Sequence, residues 1–220
     1  MFFSLSAAVA TAIAKDGQGD LKFFTLDNGL QIIIDPNNRA PVVKQTIWYK
    51  VGGMDEPAGK SGIAHILEHL MFKGTIAYPD DKFSRLIAKF GGKENASTSY
   101  DYTNYYQTIS SDHLHAVIKA EADRMRNLQL NEDIIAPEID VVHEERLSRI
   151  GNLPQARLME KTNTMLFKNH PYRLPLIGWS HEILAQKQNL SGILDFYKKY
   201  YVPNNAILVI SGDVDRKSVV

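Results

Sequence analysis

Cysteine is absent from the 220-residue sequence, so disulfide bonds and thiolate metal ligands are excluded and any metal site is left to histidine and carboxylate side chains. The absence is compatible with an oxidising compartment. An excess of charge is also lacking, because 25 lysine and arginine residues balance 25 aspartate and glutamate residues. This balance favours neither a nucleic-acid partner nor an anionic membrane surface, and we predict no nucleic-acid partner.

No apolar run is long enough to cross a bilayer as a helix, so no integral membrane span is predicted. The first fourteen residues are apolar or small and end in the A-x-A pattern of Ala12 to Ala14. This pattern resembles the apolar region and cleavage site of a secretory signal, although the basic segment that should precede it is missing. We therefore interpret residues 1–19 as a signal peptide or a disordered N-terminus. The protein is expected to be exported, to the periplasm if it is bacterial, with a cytoplasmic or organellar location as the alternative.

The chain is long enough to bury roughly 70% of its unfolded surface in one substantial core. The turn dipeptide Asn28-Gly29 lies between two apolar runs and predicts a hairpin over residues 21–34. Further strands are predicted at 42–51, as a pair within 95–110, and at 205–214. Helices are predicted at 62–74, 80–91, 111–128, 131–149, 153–167 and 190–200, with Pro137 expected to kink or break the fourth of them. Hairpins mixed with helices predict an α+β fold, in which helices cover a mainly antiparallel sheet.

The stretch GIAHILEHLMFKG, residues 62–74, carries His65 and His69 four positions apart, with Glu68 just before the second histidine. Ser61 is expected to cap the helix that holds them. Side chains at i and i+4 share one helix face, so the two imidazoles can reach one ion. Glu68 lies on the flank of that face, where its carboxylate can take a proton from a water on the ion. The alternative is a surface helix with two solvated histidines, and a third ligand would decide between them.

The predicted helix at 131–149 supplies candidates for that third ligand. Glu138 and Glu145 are seven positions apart and hence nearly on one face, with an apolar stripe of Val141 and Val142 between them. Two carboxylates on a buried face are costly unless a cation or hydrogen-bond donors neutralise them. The other reading is a charged helix whose side chains are solvated.

The H-x-x-E-H pattern is the inverzincin signature, and the sequence resembles the pitrilysin/insulinase family of zinc metallopeptidases, which includes the mitochondrial processing peptidases. The resemblance extends over roughly residues 20–215, through NGLQIII, the glycine pair at 52–53, FGGKENASTSYDYTNYY, HPYRLPLIG and YYVPNNAILVISGDV. In that family the third ligand is a glutamate about 76 residues beyond the second histidine, where Glu145 stands here at the end of EIDVVHEE. The resemblance implies one zinc ion per chain, held by His65, His69 and Glu145. It also implies that Glu138 supports these ligands without binding the metal.

The function that this resemblance implies is a zinc endopeptidase domain over residues 20–220, forming the N-terminal half of a two-half subunit. A zinc-bound water would hydrolyse extended peptides or unfolded proteins, with Glu68 as the general base. In the family one strand edges the cleft and takes up the substrate as an additional strand. That strand corresponds here to Asn95, Ala96, Ser97 and Thr98. A second homologous half or subunit closes the cleft and places an arginine and a tyrosine beside the reacting carbonyl.

Two other interpretations stay open at this point. One is a peptide-binding subunit without activity, as in the degenerate members of the family. Glu68 argues against it, because a structural zinc site has no use for an adjacent free carboxylate. The other is a protein whose zinc only stabilises the fold. Structural zinc is usually closed by four protein ligands, and only three convincing ones are found.

Overall fold

The computed structural model of the chain describes residues 21–214, so the interpretation of residues 1–19 lies outside the described part. Six strands are present in that part: β1 (Lys22–Thr25), β2 (Gln31–Pro36), β3 (Val42–Tyr49), β4 (Lys93–Thr98), β5 (Thr103–Ser110) and β6 (Ala206–Gly212). They form one sheet in the order β1-β2-β6-β3-β5-β4. All neighbours pair antiparallel except β2 and β6, which run parallel. The predicted α+β fold with a mainly antiparallel sheet is confirmed.

The helices follow the predicted order, with one short addition near residue 180. They are α1 (Ile63–Leu70), α2 (Lys82–Lys89), α3 (Leu114–Asn127), α4 (Glu132–Arg146), α5 (Pro154–Leu166), α6 (Ser180–Ala185) and α7 (Leu190–Tyr200). One cluster of buried side chains joins the sheet to the helices and includes Ile47 of β3, Leu67 of α1 and Ile139 of α4. None of the helices within residues 21–214 has both the length and the apolar character required for crossing a membrane.

The N-terminal hairpin forms as predicted. Strands β1 and β2 pair antiparallel from Lys22 with Ile34 to Thr25 with Gln31. Gly29 has φ +86°, a left-handed conformation that glycine adopts at little cost, and the Asn28 side chain accepts a hydrogen bond from Leu30 N.

Two local expectations about the helices are wrong, and of the kink or break expected at Pro137 the break does not occur. Ser61 does not cap α1; Gly62 is the residue before the helix, and the Ser61 hydroxyl instead accepts a hydrogen bond from Trp179 N at 2.9 Å. Helix α4 is not broken at Pro137, because the buried residues of this helix, Ile135 and Ile139 among them, hold it against the core on both sides of the proline. The apolar stripe is limited to Val142, since Val141 points away and is 49% exposed.

Candidate metal centre

The start of helix α1 is fixed by two carboxylates from other parts of the chain. Glu56 accepts hydrogen bonds from the backbone N–H groups of Gly62 and Ala64, each at 2.9 Å. Glu182 accepts from Ser61 N at 2.7 Å. These acceptors satisfy N–H groups that have no partner within a helix. Burial, reinforced by the neighbouring Glu182 and Asp55 and opposed by the two backbone bonds, raises the pKa of Glu56 to about 8.

Two glycines let the backbone approach the same end of the helix. A Cβ atom on Gly62 would lie 2.6 Å from the carbonyl oxygen of Ile177, and one on Gly178 would lie 2.5 Å from that of Ser61. Real Cβ atoms do not come so close to another backbone, and both glycines also have positive φ. The segment around Gly178 therefore packs directly on the first turn of α1.

Three of the predicted site residues meet at the buried face of α1. The possible ligand atoms of His65, His69 and Glu145 all lie within 4.8 Å of one another. Glu145 Oε2 is 3.6 Å from Nε2 of His65 and 3.2 Å from Nε2 of His69. The two imidazole rings stand nearly perpendicular, with their centroids 4.8 Å apart. Helices α1 and α4, which are distant in sequence, thus direct two nitrogens and one oxygen at a common point.

The polar atoms at this point fit a zinc ion. Glu145 Oε2 is buried and has no hydrogen-bond partner among residues 21–214. A buried carboxylate oxygen without a donor is costly, and a cation between the three side chains would remove that cost. Two imidazole nitrogens and one carboxylate oxygen form a donor set that zinc accepts in catalytic sites. Within the described part of the chain, no other group of three or more such side chains comes together.

Glu138 lies where a supporting carboxylate is expected. Its Oε1 is 2.9 Å from Nδ1 of His69, and its Oε2 accepts from Lys73 Nζ at 2.5 Å. Burial would raise the pKa of Glu138, but the hydrogen bonds from His69 and Lys73 outweigh it and lower the pKa. A proton donated from Nδ1 of His69 leaves Nε2 free to face Glu145 and a metal.

The two histidines respond differently to their surroundings. Burial, together with positive charge on His69 and Arg149, lowers the pKa of His65 to about 3, which favours the neutral imidazole that binds metals. Burial also acts to lower the pKa of His69, but the hydrogen bond and charge of Glu138 prevail and raise it, with help from Glu145 and Glu68.

Glu68 stands beside the three-residue group without belonging to it. Its Oε2 accepts a hydrogen bond from the Thr98 hydroxyl of strand β4. Burial raises the pKa of Glu68, and the bond from Thr98 opposes that shift. The carboxylate thus lines the same cleft as the three candidate ligands and is held there by strand β4.

A cleft of about 770 Å³ opens over this group. Strand β4, with Asn95, Ala96, Ser97 and Thr98, forms one wall and is the last strand of the sheet, so its outer edge has no strand neighbour within residues 21–214. The facing wall comes from α5 and from the segment that precedes Gly178. The four predicted substrate-binding residues therefore line the same cleft as the candidate metal ligands.

Arg146 joins the elements that build the far wall. It follows Glu145 on α4, is 7% exposed, and makes two parallel hydrogen bonds to Glu160 of α5, at 2.8 and 3.0 Å. Its Nε also donates to the Ser180 hydroxyl at 3.3 Å, and its guanidinium lies 5.6 Å from the centre of the Trp179 ring. The sequence offered no sign of this residue's role, because Glu160 and Ser180 are distant in the chain.

Arg149 contacts the other oxygen of Glu145. A π-helical turn, Leu147–Gly151, follows α4 and carries this arginine into the cleft. Its Nη2 lies 2.8 Å from Glu145 Oε1. Oε1 is thereby held by an arginine while Oε2 faces the histidines. Sequence reasoning missed Arg149 as well, although its i+4 spacing from Glu145 is a pattern that predicts an ion pair.

The family model of insulinase, peptidase family M16, matches residues 31–179. The zinc protease PqqE of Helicobacter pylori is 40% identical over 196 residues, which are 89% of this chain and 44% of that protein. The chain thus spans about half the length of the curated relatives it matches.

Solved structures agree with this result. A protease from Helicobacter pylori superposes with a TM-score of 0.85 and 38% identity, over 92% of this chain and 48% of that one. The first half of the periplasmic protease PqqL from Escherichia coli gives a TM-score of 0.80 and 25% identity, over 94% of this chain and 45% of that one. The family match covers most of the residues on which the fold and the cleft are built, and the chain belongs to the insulinase family of peptidases, family M16.

Proposed function

We propose that this chain is the zinc-binding part of a zinc-dependent endopeptidase that hydrolyses extended peptides or unfolded proteins. The observation that carries the proposal is Glu145 Oε2, a buried oxygen without a hydrogen-bond partner in the described residues, directed at Nε2 of both His65 and His69. Relatives that match nearly all of this chain are named zinc proteases, which supports the same metal and the same class of reaction.

His65, His69 and Glu145 would hold one zinc ion per chain, and Glu138 would fix the ring of His69. Zinc, when bound, polarises a substrate carbonyl and lowers the pKa of water. The Thr98 hydroxyl holds Oε2 of Glu68, and Oε1 of the same carboxylate would take a proton from the attacking water. Glu68 then returns that proton to the leaving amine. Three protein ligands converge in the described part of the chain, and no fourth joins them there, which favours a catalytic over a structural site.

The substrate would bind as an extra strand on β4. An exposed strand edge offers N–H and C=O groups to any extended peptide, with little dependence on side chains. Asn95 and Ser97 are exposed on this strand, and Ala96 and Thr98 are half-buried. The strand ends beside Glu68, so a peptide paired with it would pass the candidate metal.

Two further features complete the proposal. A second, similar half or subunit would close the cleft, in keeping with relatives about twice as long as this chain. The protein would act after export, on the basis of the signal-like residues 1–14 and of its similarity to a protease described as periplasmic.

A Glu68→Gln variant tests the division between metal binding and chemistry. It should keep zinc, because Glu68 is not among the three converging ligands, and lose about 10²–10⁴-fold in turnover, the usual effect of removing a general base. The measurements are zinc content of the purified protein and cleavage of a quenched unstructured peptide in the presence of the second half. Glu144→Gln, on the exposed face of α4, is the matched control and should retain both properties. A Glu68→Gln protein purified without metal, or with full turnover, would refute the assignment.

A further inference from the structure

One side chain of strand β4, that of Thr98, contacts the proposed general base Glu68. Along the strand Lys93, Asn95 and Ser97 are exposed, while the alternate residues are half-buried and turn toward the body of the protein. Thr98 is the last of these alternate residues, and its hydroxyl donates to Oε2 of Glu68 on α1. Its main chain is also paired with Thr103 of β5, which fixes its position in the sheet.

Glu68 has few other restraints. It is half-buried at the cleft, and its carboxylate is held by Thr98 alone among the described residues, through the hydroxyl and, more weakly, through the backbone N–H. Without the hydroxyl the carboxylate keeps only the weaker backbone donor and is freer to rotate about its last torsion, for which glutamate side chains have broad preferences. A general base acts efficiently when its oxygen is held within hydrogen-bond reach of the proton it removes.

We propose that Thr98 is a positioning residue for Glu68: its hydroxyl holds Oε2 and thereby presents Oε1 to the attacking water. The inference rests on the proposed function, and it gives Thr98 a role in orienting the base in addition to lining the strand. The strand that would receive the substrate is also the strand that orients the base.

The alternative is a structural hydrogen bond that merely ties α1 to β4. The positioning role and the structural role predict different effects when the Thr98 hydroxyl is removed. A positioning role affects kcat and leaves metal binding and KM in place, whereas a structural tie affects stability or zinc affinity. Valine removes the hydroxyl and keeps the branched shape that suits a strand, and serine keeps the hydroxyl.

The test compares Thr98→Val, Thr98→Ser and the control Thr108→Val, which makes the same change on β5 at a residue outside the cleft lining. Thr98→Val should lower kcat by about 10- to 100-fold, the scale at which small misplacements of catalytic groups act. Its KM and zinc dissociation constant should stay within about twofold of the parent, and Thr98→Ser should restore most of kcat. Thr108→Val should match the parent.

A second comparison shows whether Thr98 acts through Glu68. In a Glu68→Gln background, adding Thr98→Val should produce no further loss, because there is no base left to orient. A crystal structure of zinc-loaded Thr98→Val gives a readout that does not depend on turnover: the Glu68 carboxylate should lose its single orientation. An unchanged kcat, an equal loss in the Glu68→Gln background, or an unchanged carboxylate would overturn the inference. These rates are measured with the closing half present, and a parent protein that shows no zinc-dependent cleavage even then would instead overturn the proposed function.

Discussion

Glu145 shows how much the site depends on individual atoms. Its two oxygens have different neighbours, with Arg149 at Oε1 and the two histidines at Oε2. We expect Glu145→Gln to weaken zinc binding strongly, because a neutral amide is a poor replacement for a charged oxygen ligand. Glu144→Gln should have little effect, since adjacent residues point about 100° apart on a helix.

The measurement is zinc stoichiometry of the two variants after dialysis against a buffered zinc solution. Stoichiometry near one for Glu145→Gln and near zero for Glu144→Gln would reverse the assignment.

At the residue scale, sequence reasoning identified side chains that the fold brings together. The i, i+4 pair His65 and His69 is local and needs only a helix, and Glu145 was placed by the family spacing. Their roles as ligands stay predictions. Glu56 and Arg146 could not be found, because their partners are set by tertiary packing and a single sequence carries no signal for such pairs.

At the scale of elements, the anchoring of α1 by Glu56 predicts a pH dependence of stability. The pKa of Glu56 is raised to about 8 in the folded protein, from 4.5 as the ordinary value. Between these values the folded state binds a proton that the unfolded state has lost. The stabilising contribution of protonated Glu56 to the folded state is therefore fully present below pH 4.5 and is lost as the pH rises through 8.

Glu56→Gln should remove this dependence. The unfolding free energy of the parent minus that of the variant should therefore fall as the pH rises, by at most about 1.4 kcal/mol per pH unit. Urea unfolding of both proteins with a chelator present, at intervals from about pH 5 to pH 8, measures the difference without a contribution from metal release. Stability curves that stay parallel over this range would contradict the prediction.

The ion pair between α4 and α5 makes a second prediction at this scale. Arg146 and Glu160 are both largely buried, with side chains 9% and 14% exposed. Arg146→Ala should lower the unfolding free energy by about 3–5 kcal/mol, because it leaves Glu160 charged and unpaired. The pair of Arg85 and Asp81 is mostly exposed, so Arg85→Ala should cost less than about 1 kcal/mol.

Urea unfolding measures both variants. Equal costs for Arg146→Ala and Arg85→Ala would mean that burial does not control the strength of these pairs. The double change Arg146→Met with Glu160→Leu should recover much of the loss, since it leaves no buried charge without a partner.

The elements themselves were predictable to different degrees. Local signals located the hairpin at Asn28-Gly29 and the helices with an apolar periodicity. The parallel pairing of β2 with β6 had no such signal, because it joins strands from opposite ends of the described chain. The π-helical turn after α4 could not be predicted either, since nothing in its composition distinguishes it from an ordinary helix end.

At the scale of the whole molecule, the open cleft predicts weak activity for these 220 residues alone. The two walls of the cleft come from one unit, which spans about half the length of its relatives. Donors beside the reacting carbonyl stabilise the developing negative charge, and losing one typically costs about 10²–10³-fold in rate. We expect a second, similar half, supplied on the same polypeptide or as a separate chain, to raise the cleavage rate by orders of magnitude.

The test assays a quenched unstructured peptide with the 220-residue chain at defined zinc occupancy, with and without that half. Zinc binding should be similar in the two samples, because all three converging ligands lie in this chain. Cleavage at full rate by the isolated chain would show that no closing half is needed.

The contact between Gly62 and Gly178 has a consequence for genetic variation. Neither residue carries a functional group, yet any side chain at either position would collide with backbone and push α1 away from the rest of the site. Substitutions at the codons of these two glycines should therefore abolish function as often as substitutions at the codons of the two histidines. Even alanine, usually the mildest replacement, should be selected against there.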